Sequence, residues 1–141
     1  MFGGHCVKTW ASTQAVVALS SGESEYYGLV KAGCSAIGLR ALCGDMRMQC
    51  GVKFLTDSTA ARGICLRRGV GKVRHMDVQL LWLQERVQSG ELRLEKVWGH
   101  ENVADLMTKY VDAATILRLV GMVNMSFVDG RSEIAPRLHG H

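Results

Sequence analysis

The chain has 141 residues, 48% of them hydrophobic and 21% charged, with a formal net charge of +4. These values fit one soluble α/β or α+β domain with a modest core and require no second domain. The longest apolar runs fall far short of the roughly 20 residues that span a bilayer. The N-terminus lacks a basic region followed by a continuous apolar stretch, so an intracellular protein without membrane contact is expected. Five cysteines, an odd number with no C-x-x-C pair, argue against a disulfide framework and against a zinc site; reduced, mostly buried thiols are expected.

In chain order, the pattern predicts a short strand over residues 6–10, a turn, and a second strand over 15–20 built from small and β-branched residues. A long helix follows, capped by Ser20-Ser21, enriched in its first turn by Glu23 and Glu25, and running to about Cys43 before Gly44. Strand 52–56 is next, then a helix from Thr59 to about Leu66, a basic loop, and a helix from about Met76 to Gln88 that Ser89-Gly90 ends. Residues 92–98 read as a strand and 101–110 as a further helix. Beyond Asp112, residues 113–120 form one more helix, with a short strand at 125–128 in a loosely held tail. The tail histidines, His139 and His141, read as solvated.

Asp57 stands where an apolar strand stops and a helix is about to begin. In an open α/β sheet, ligands gather at the carboxyl ends of strands, which makes a carboxylate there a candidate catalytic group. The alternative is that Asp57-Ser58 simply caps the next helix. On a helical wheel, Glu25 falls on the apolar stripe of Leu29, Ala32, Ala36, Leu39 and Cys43, so it is expected to point inward, whereas Glu23 falls toward the far edge. A carboxylate on the core side is costly unless paired or bound to a cation, which favours Glu25 over Glu23. Asp105 shares a polar face with Glu101, Asn102 and Thr108, opposite Val103, Leu106, Met107 and Tyr110. Converging, Glu25, Asp57 and Asp105 would offer the hard oxygen ligands that magnesium and manganese require.

Positive charge is uneven. Arg62, Arg67, Arg68, Lys72, Arg74 and His75 fall in one segment without an acidic residue, where Gly69 and Gly71 add freedom. Such a segment can track a phosphate backbone; a solvated loop is the alternative.

Several short motifs then occur in a fixed order: Trp10-Ala11-Ser12-Thr13-Gln14, Ala18-Leu19-Ser20-Ser21-Gly22-Glu23-Ser24-Glu25-Tyr26, Asp57-Ser58-Thr59-Ala60-Ala61, Arg74-His75-Met76-Asp77, and Glu101-Asn102-Val103-Ala104-Asp105-Leu106-Met107-Thr108-Lys109. In this order they resemble the RNase H domain of copia-type retrotransposon polyproteins, over about residues 3–111. The resemblance implies an RNase H-like α/β fold, a mixed sheet with flanking helices, over residues 1–111, with 112–141 a C-terminal helix and tail. It also implies hydrolysis of the RNA strand of an RNA–DNA hybrid, with an upstream reverse transcriptase region as partner and two divalent cations, Mg or Mn, as cofactors. Glu25, Asp57 and Asp105 match catalytic, metal-binding carboxylates of that family. His100, before the Asp105 helix, is a possible auxiliary to proton transfer or product release, with Glu23 a second auxiliary candidate; a surface histidine is the alternative for His100. His75 matches a structural or phosphate-contacting position.

The chain departs from the family in one respect. The family's first catalytic aspartate lies on a first, central strand, yet residues 1–22 here contain no Asp or Glu. The expectation is therefore an RNase H domain lacking that strand. Two functions stay open: a nuclease whose missing strand comes from upstream sequence, and a non-catalytic remnant that binds nucleic acid weakly through the basic loop. An unrelated small interaction domain would require the ordered motifs to be accidental.

Overall fold

The computed structural model describes residues 1–14, 17–69, 71 and 81–128, in two units: Ser12–Asn102, and Met1–Ala11 with Val103–His141. In the first, helix α1 (Ser21–Asp45) starts where Ser20, extended at φ −151 and ψ 158, accepts the Glu23 N–H on its hydroxyl at 3.3 Å. The Glu23 carboxylate reaches back and accepts the Leu19 N–H at 3.0 Å. Two N–H groups at the helix start, which have no helical partner, are thereby satisfied reciprocally. At the other end, Arg47 takes the left-handed conformation at φ 61. The Arg47 and Met48 N–H groups then donate to Gly44 O and Cys43 O, both at 2.8 Å. The expected stop before Gly44 is thus corrected: Gly44 lies inside the last turn, and Arg47 makes the reversal that glycine usually makes.

Strand β1 (Val52–Thr56), helix α2 (Thr59–Leu66), helix α3 (Trp82–Gln88) and strand β2 (Leu92–Lys96) follow. β1 and β2 pair in parallel, Val52 opposite Leu92 through Thr56 opposite Lys96. Parallel strands need a long crossover, and α2 and α3 lie within it. Strand 52–56 and helix 59–66 have the expected bounds; the strand expected over 92–98 stops at Lys96. The expected helix from Met76 is seen from Trp82, its residues 76–80 lying outside the described residues.

The core of this unit joins Tyr26, Leu29 and Val30 of α1 to Phe54, Ala61, Ile64, Cys65, Leu83 and Leu92. Burying side chains such as Leu83 and Leu92 stabilises by about 1.5–3 kcal/mol each. Two glycines set how α1 packs. A Cβ on Gly22 would stand 2.5 Å from the Cβ of Ala60, and one on Gly33 would stand 2.9 Å from the Trp82 ring. The buried face of α1 therefore carries Gly22, Glu23, Tyr26, Leu29, Val30, Gly33 and Cys43. This corrects the wheel: Glu25 and Leu39 are exposed, because the close approaches at Gly22 and Gly33 put the contact line through Tyr26, Leu29 and Val30.

In the second unit, helix α4 (Ala113–Met122) is capped by Asp112, whose carboxylate accepts the Thr115 N–H at 2.7 Å. It ends at Asn124, left-handed at φ 58, with the Met125 N–H donating to Val120 O at 3.1 Å. The helix expected over 113–120 thus runs on to Met122, with Gly121 inside it. The Cys6 N–H donates to Val123 O at 3.3 Å, and Phe2 bridges His5.

Several other expectations are corrected. Residues 6–10 and 125–128 form no strand, nor do 17–20 of the expected strand 15–20, whose residues 15 and 16 lie outside the described residues. Instead of one helix over 101–110 there are two tight 3-10 turns, Gly99–Glu101 and Val103–Met107. Among the described residues the sheet is the parallel pair alone, so the architecture is α/β, with no antiparallel member making it mixed. Among the same residues no helix is long and apolar enough to cross a membrane.

Candidate functional site

Asp57 follows β1 directly and is half-buried. Its neighbours perform the local structural work. Thr56 O accepts the Val97 N–H at 3.0 Å, carrying the parallel ladder past the end of β2. Thr56 Oγ1 accepts the Ser58 N–H, and Ser58 Oγ caps α2 by accepting the Ala61 N–H, each at 3.1 Å. The cap is therefore Ser58 and not Asp57. The loop after β2 runs beside the Asp57 carboxylate: a Cβ on Gly99 would stand 3.8 Å from Asp57 Oδ2. Asp57 and Gly99 thus share the carboxyl end of the sheet, the end where open α/β sheets collect ligands.

The close contact of Gly22 with Ala60 brings the starts of α1 and α2 together, with Glu25 in the first turns of one and Asp57 just ahead of the other. Glu25 is exposed, against the expectation that it points inward. Glu23, expected at the stripe's edge, is the buried one, 4% exposed, and its carboxylate is engaged in holding the helix start. Tyr26, the next residue on the core side, has its phenol pushed well above the usual range, by burial first and by Cys65 second.

Asp105 belongs to the other unit. Its side chain is 13% exposed and pairs with Lys109 at 3.0 Å, while Met107 and Tyr110, expected on the apolar face, are exposed. The wheel fails here because a 3-10 turn does not follow the α-helical period. His100, in the turn Gly99–Glu101, has its side chain 70% exposed, 3.8 Å from the Glu101 carboxylate.

Carboxylate oxygens are the right donors for magnesium or manganese. Among the described residues, however, no three His, Cys, Asp or Glu side chains are gathered closely enough to hold a metal ion. The donor type fits the cation; the number gathered does not. The cysteines are all free, and only Cys43 and Cys65 are buried, which corrects the expectation that most are. Burial pushes the Cys65 thiol up to about 12, so it stays protonated and unreactive near neutrality.

The basic segment starts on α2, and its described residues Arg67-Arg68-Gly69 are tied to α3 by side-chain amides. Arg62 is half-buried, and its Nε has no hydrogen-bond partner among the described residues. Gln84 of α3, 3% exposed, donates from Nε2 to Ile64 O at 2.8 Å and Gly69 O at 3.1 Å, and accepts the Gly69 N–H at 2.9 Å. One helical turn on, Gln88 donates to Arg67 O at 3.0 Å and accepts from Arg68 Nε at 3.2 Å. The Arg67 guanidinium lies across Gly71, where a Cβ would stand 2.9 Å from its Cζ. Sequence reasoning missed Gln84 and Gln88. Their signal was two amides four residues apart, on one face of a helix that follows a basic segment. Lys72, Arg74 and His75 lie outside the described residues.

Comparison with known proteins gives one distant relationship. The chain is 29% identical over 112 residues to the retrovirus-related Pol polyprotein from transposon TNT 1-94 of Nicotiana tabacum, a match covering 78% of this chain and 8% of that polyprotein. It is thus distantly related to a retrotransposon Pol polyprotein and spans under a tenth of its length. No protein-family model matches the chain, and no solved structure matches it.

Proposed function

We propose that the chain is the RNase H portion of a retrotransposon Pol polyprotein, hydrolysing the RNA strand of RNA–DNA hybrids at the end of the sheet where Asp57 stands. The observation that carries this reading is the position of Asp57. It is half-buried at the carboxyl ends of two parallel strands, it is not the helix cap, which is Ser58, and the Gly22 contact sets the start of α1, the helix that carries Glu25, against the start of α2. Relationship to a Pol polyprotein supports the same reading at the level of origin.

Asp57 and Glu25 are the oxygen ligands proposed in the first unit, and a divalent cation, once its coordination is completed by further ligands, would supply a lowered pKa for a bound water and stabilisation of negative charge on a phosphodiester. Because no three candidate ligands are gathered among the described residues, no step of hydrolysis is assigned to this chain by itself. The 141-residue protein is expected to leave hybrid RNA uncut with magnesium present. The same chain preceded by polyprotein sequence carrying the first-strand aspartate is expected to cut, and Asp57→Asn there abolishes cutting by removing a charged ligand at constant size. Cleavage by the short chain overturns the need for upstream sequence, and cleavage that survives Asp57→Asn overturns the assignment of the site to Asp57.

A second reading has its own support. The ordered Arg67-Arg68-Gly69 segment fits a non-catalytic module that binds the phosphate backbone, and it needs no cation.

A further inference from the structure

We propose that Gln84 and Gln88 are positioning residues that hold Arg67 and Arg68 in a preset arrangement for the phosphate backbone of a bound nucleic acid. The inference rests on the nucleic-acid contact proposed above and says how that contact is built.

A buried glutamine is costly unless its amide is satisfied. The three hydrogen bonds of Gln84 all go to backbone groups of Ile64 and Gly69. Gly69 offers both its N–H and its C=O to the one amide, and it sits at φ 74, a conformation natural to glycine. This fixes the backbone immediately after the two arginines. Gln88 fixes it between the two arginines, through Arg67 O, and also grips a charged side chain through Arg68 Nε. That grip uses one N–H of the guanidinium, and since Arg68 is exposed its terminal N–H groups can meet two phosphate oxygens. Arginine side chains have much conformational freedom to lose on binding, and ordering them beforehand lowers that cost. Gln88 is exposed, so its amide contributes little to the core, and its bonds account for its placement.

The test is a double-mutant cycle on binding of an RNA–DNA hybrid, with Gln88→Ala, Arg68→Ala and the pair, each measured over a series of salt concentrations. Gln88→Ala is expected to weaken binding about three- to tenfold with an unchanged salt slope, because no charge is removed. Arg68→Ala is expected to weaken binding and flatten the slope, and the double variant to lose no more than Arg68→Ala, since Gln88 acts through Arg68. In Gln84→Met, hydrogen exchange at the Gly69 amide should accelerate while the Tyr26 and Leu83 amides keep their protection. Additive losses, or an unchanged affinity in Gln88→Ala beside a weakened Arg68→Ala, overturn the positioning role and leave the nucleic-acid reading standing. Failure of the unmodified protein to bind hybrid overturns both.

Discussion

The two units differ in where their apolar side chains go. Residues Ser12–Asn102 enclose a contiguous cluster running from Tyr26 through Phe54 and Ile64 to Leu92. In the other unit the buried apolar residues among those described are Leu119 and Val123, while Phe2, Val7, Leu117, Phe127 and Val128 are exposed. Hydrophobic stabilisation follows the area removed from water, so the unit that carries Asp57 and Glu25 also carries most of the folding energy. Asp105, by contrast, stands on a short turn closed by its own Lys109.

The largest effect that sharpens this contrast is truncation of the two cores. Leu83→Ala should cost about 2–5 kcal/mol, the usual range for a fully buried leucine. Leu119→Ala, equally buried but with fewer buried neighbours able to leave a cavity, should fall at or below the bottom of that range. Urea unfolding of the two variants measures both, and a Leu119→Ala cost equal to that of Leu83→Ala would erase the contrast. Next in size is Gly22→Ala. The Ala60 Cβ is fixed to its backbone and cannot swing aside, so α1 and α2 must separate at about 1–3 kcal/mol. The same variant should disturb the chemical shifts of Glu25 and Asp57 while leaving those of α4 in place.

The smallest effect concerns acid. The hydrogen bond from Arg40, then that from Arg86, holds the Glu91 carboxyl below its ordinary range. The Thr115 backbone N–H does the same for Asp112. With the folded value below the unfolded one, each contributes stability that is present above the unfolded pKa and lost as pH falls through the folded one. Glu91 lies in the first unit and Asp112 in the second. Glu91→Gln should thus reduce the acid sensitivity of residues Ser12–Asn102, and Asp112→Asn that of α4, as pH falls below the ordinary carboxylate range, followed by residue-resolved hydrogen exchange. Exchange of the two effects between units would contradict these assignments.

Strand 52–56 and helix 59–66 were legible because Asp57-Ser58 punctuates them and the cap chemistry is local. The long helix was legible for the same reason at Ser20. What was not legible depended on contacts distant in sequence. The packed face of α1 is set by Gly22 against Ala60 and Gly33 against Trp82, and no wheel drawn from one helix contains those partners. The end of α1 was misjudged because Arg47 takes a left-handed conformation that composition assigns to Gly44. The Asp105 segment was misjudged because an apolar spacing that suits an α-helix was closed as a 3-10 turn. Asp57 itself needed only the strand end beside it, whereas the clamp by Gln84 and Gln88 needed the crossover that brings α3 against the end of α2.

The central proposal is that the end of the sheet where Asp57 stands takes a divalent cation. Titration of the isotopically labelled protein with manganese, read as paramagnetic broadening of each residue, tests it without any requirement for cleavage. The account predicts that Asp57, Gly99 and Glu25 broaden first and together, and that Asp57→Asn removes the effect at all three. Broadening confined to exposed carboxylates such as Glu95, with Asp57 and Gly99 unaffected, would contradict it.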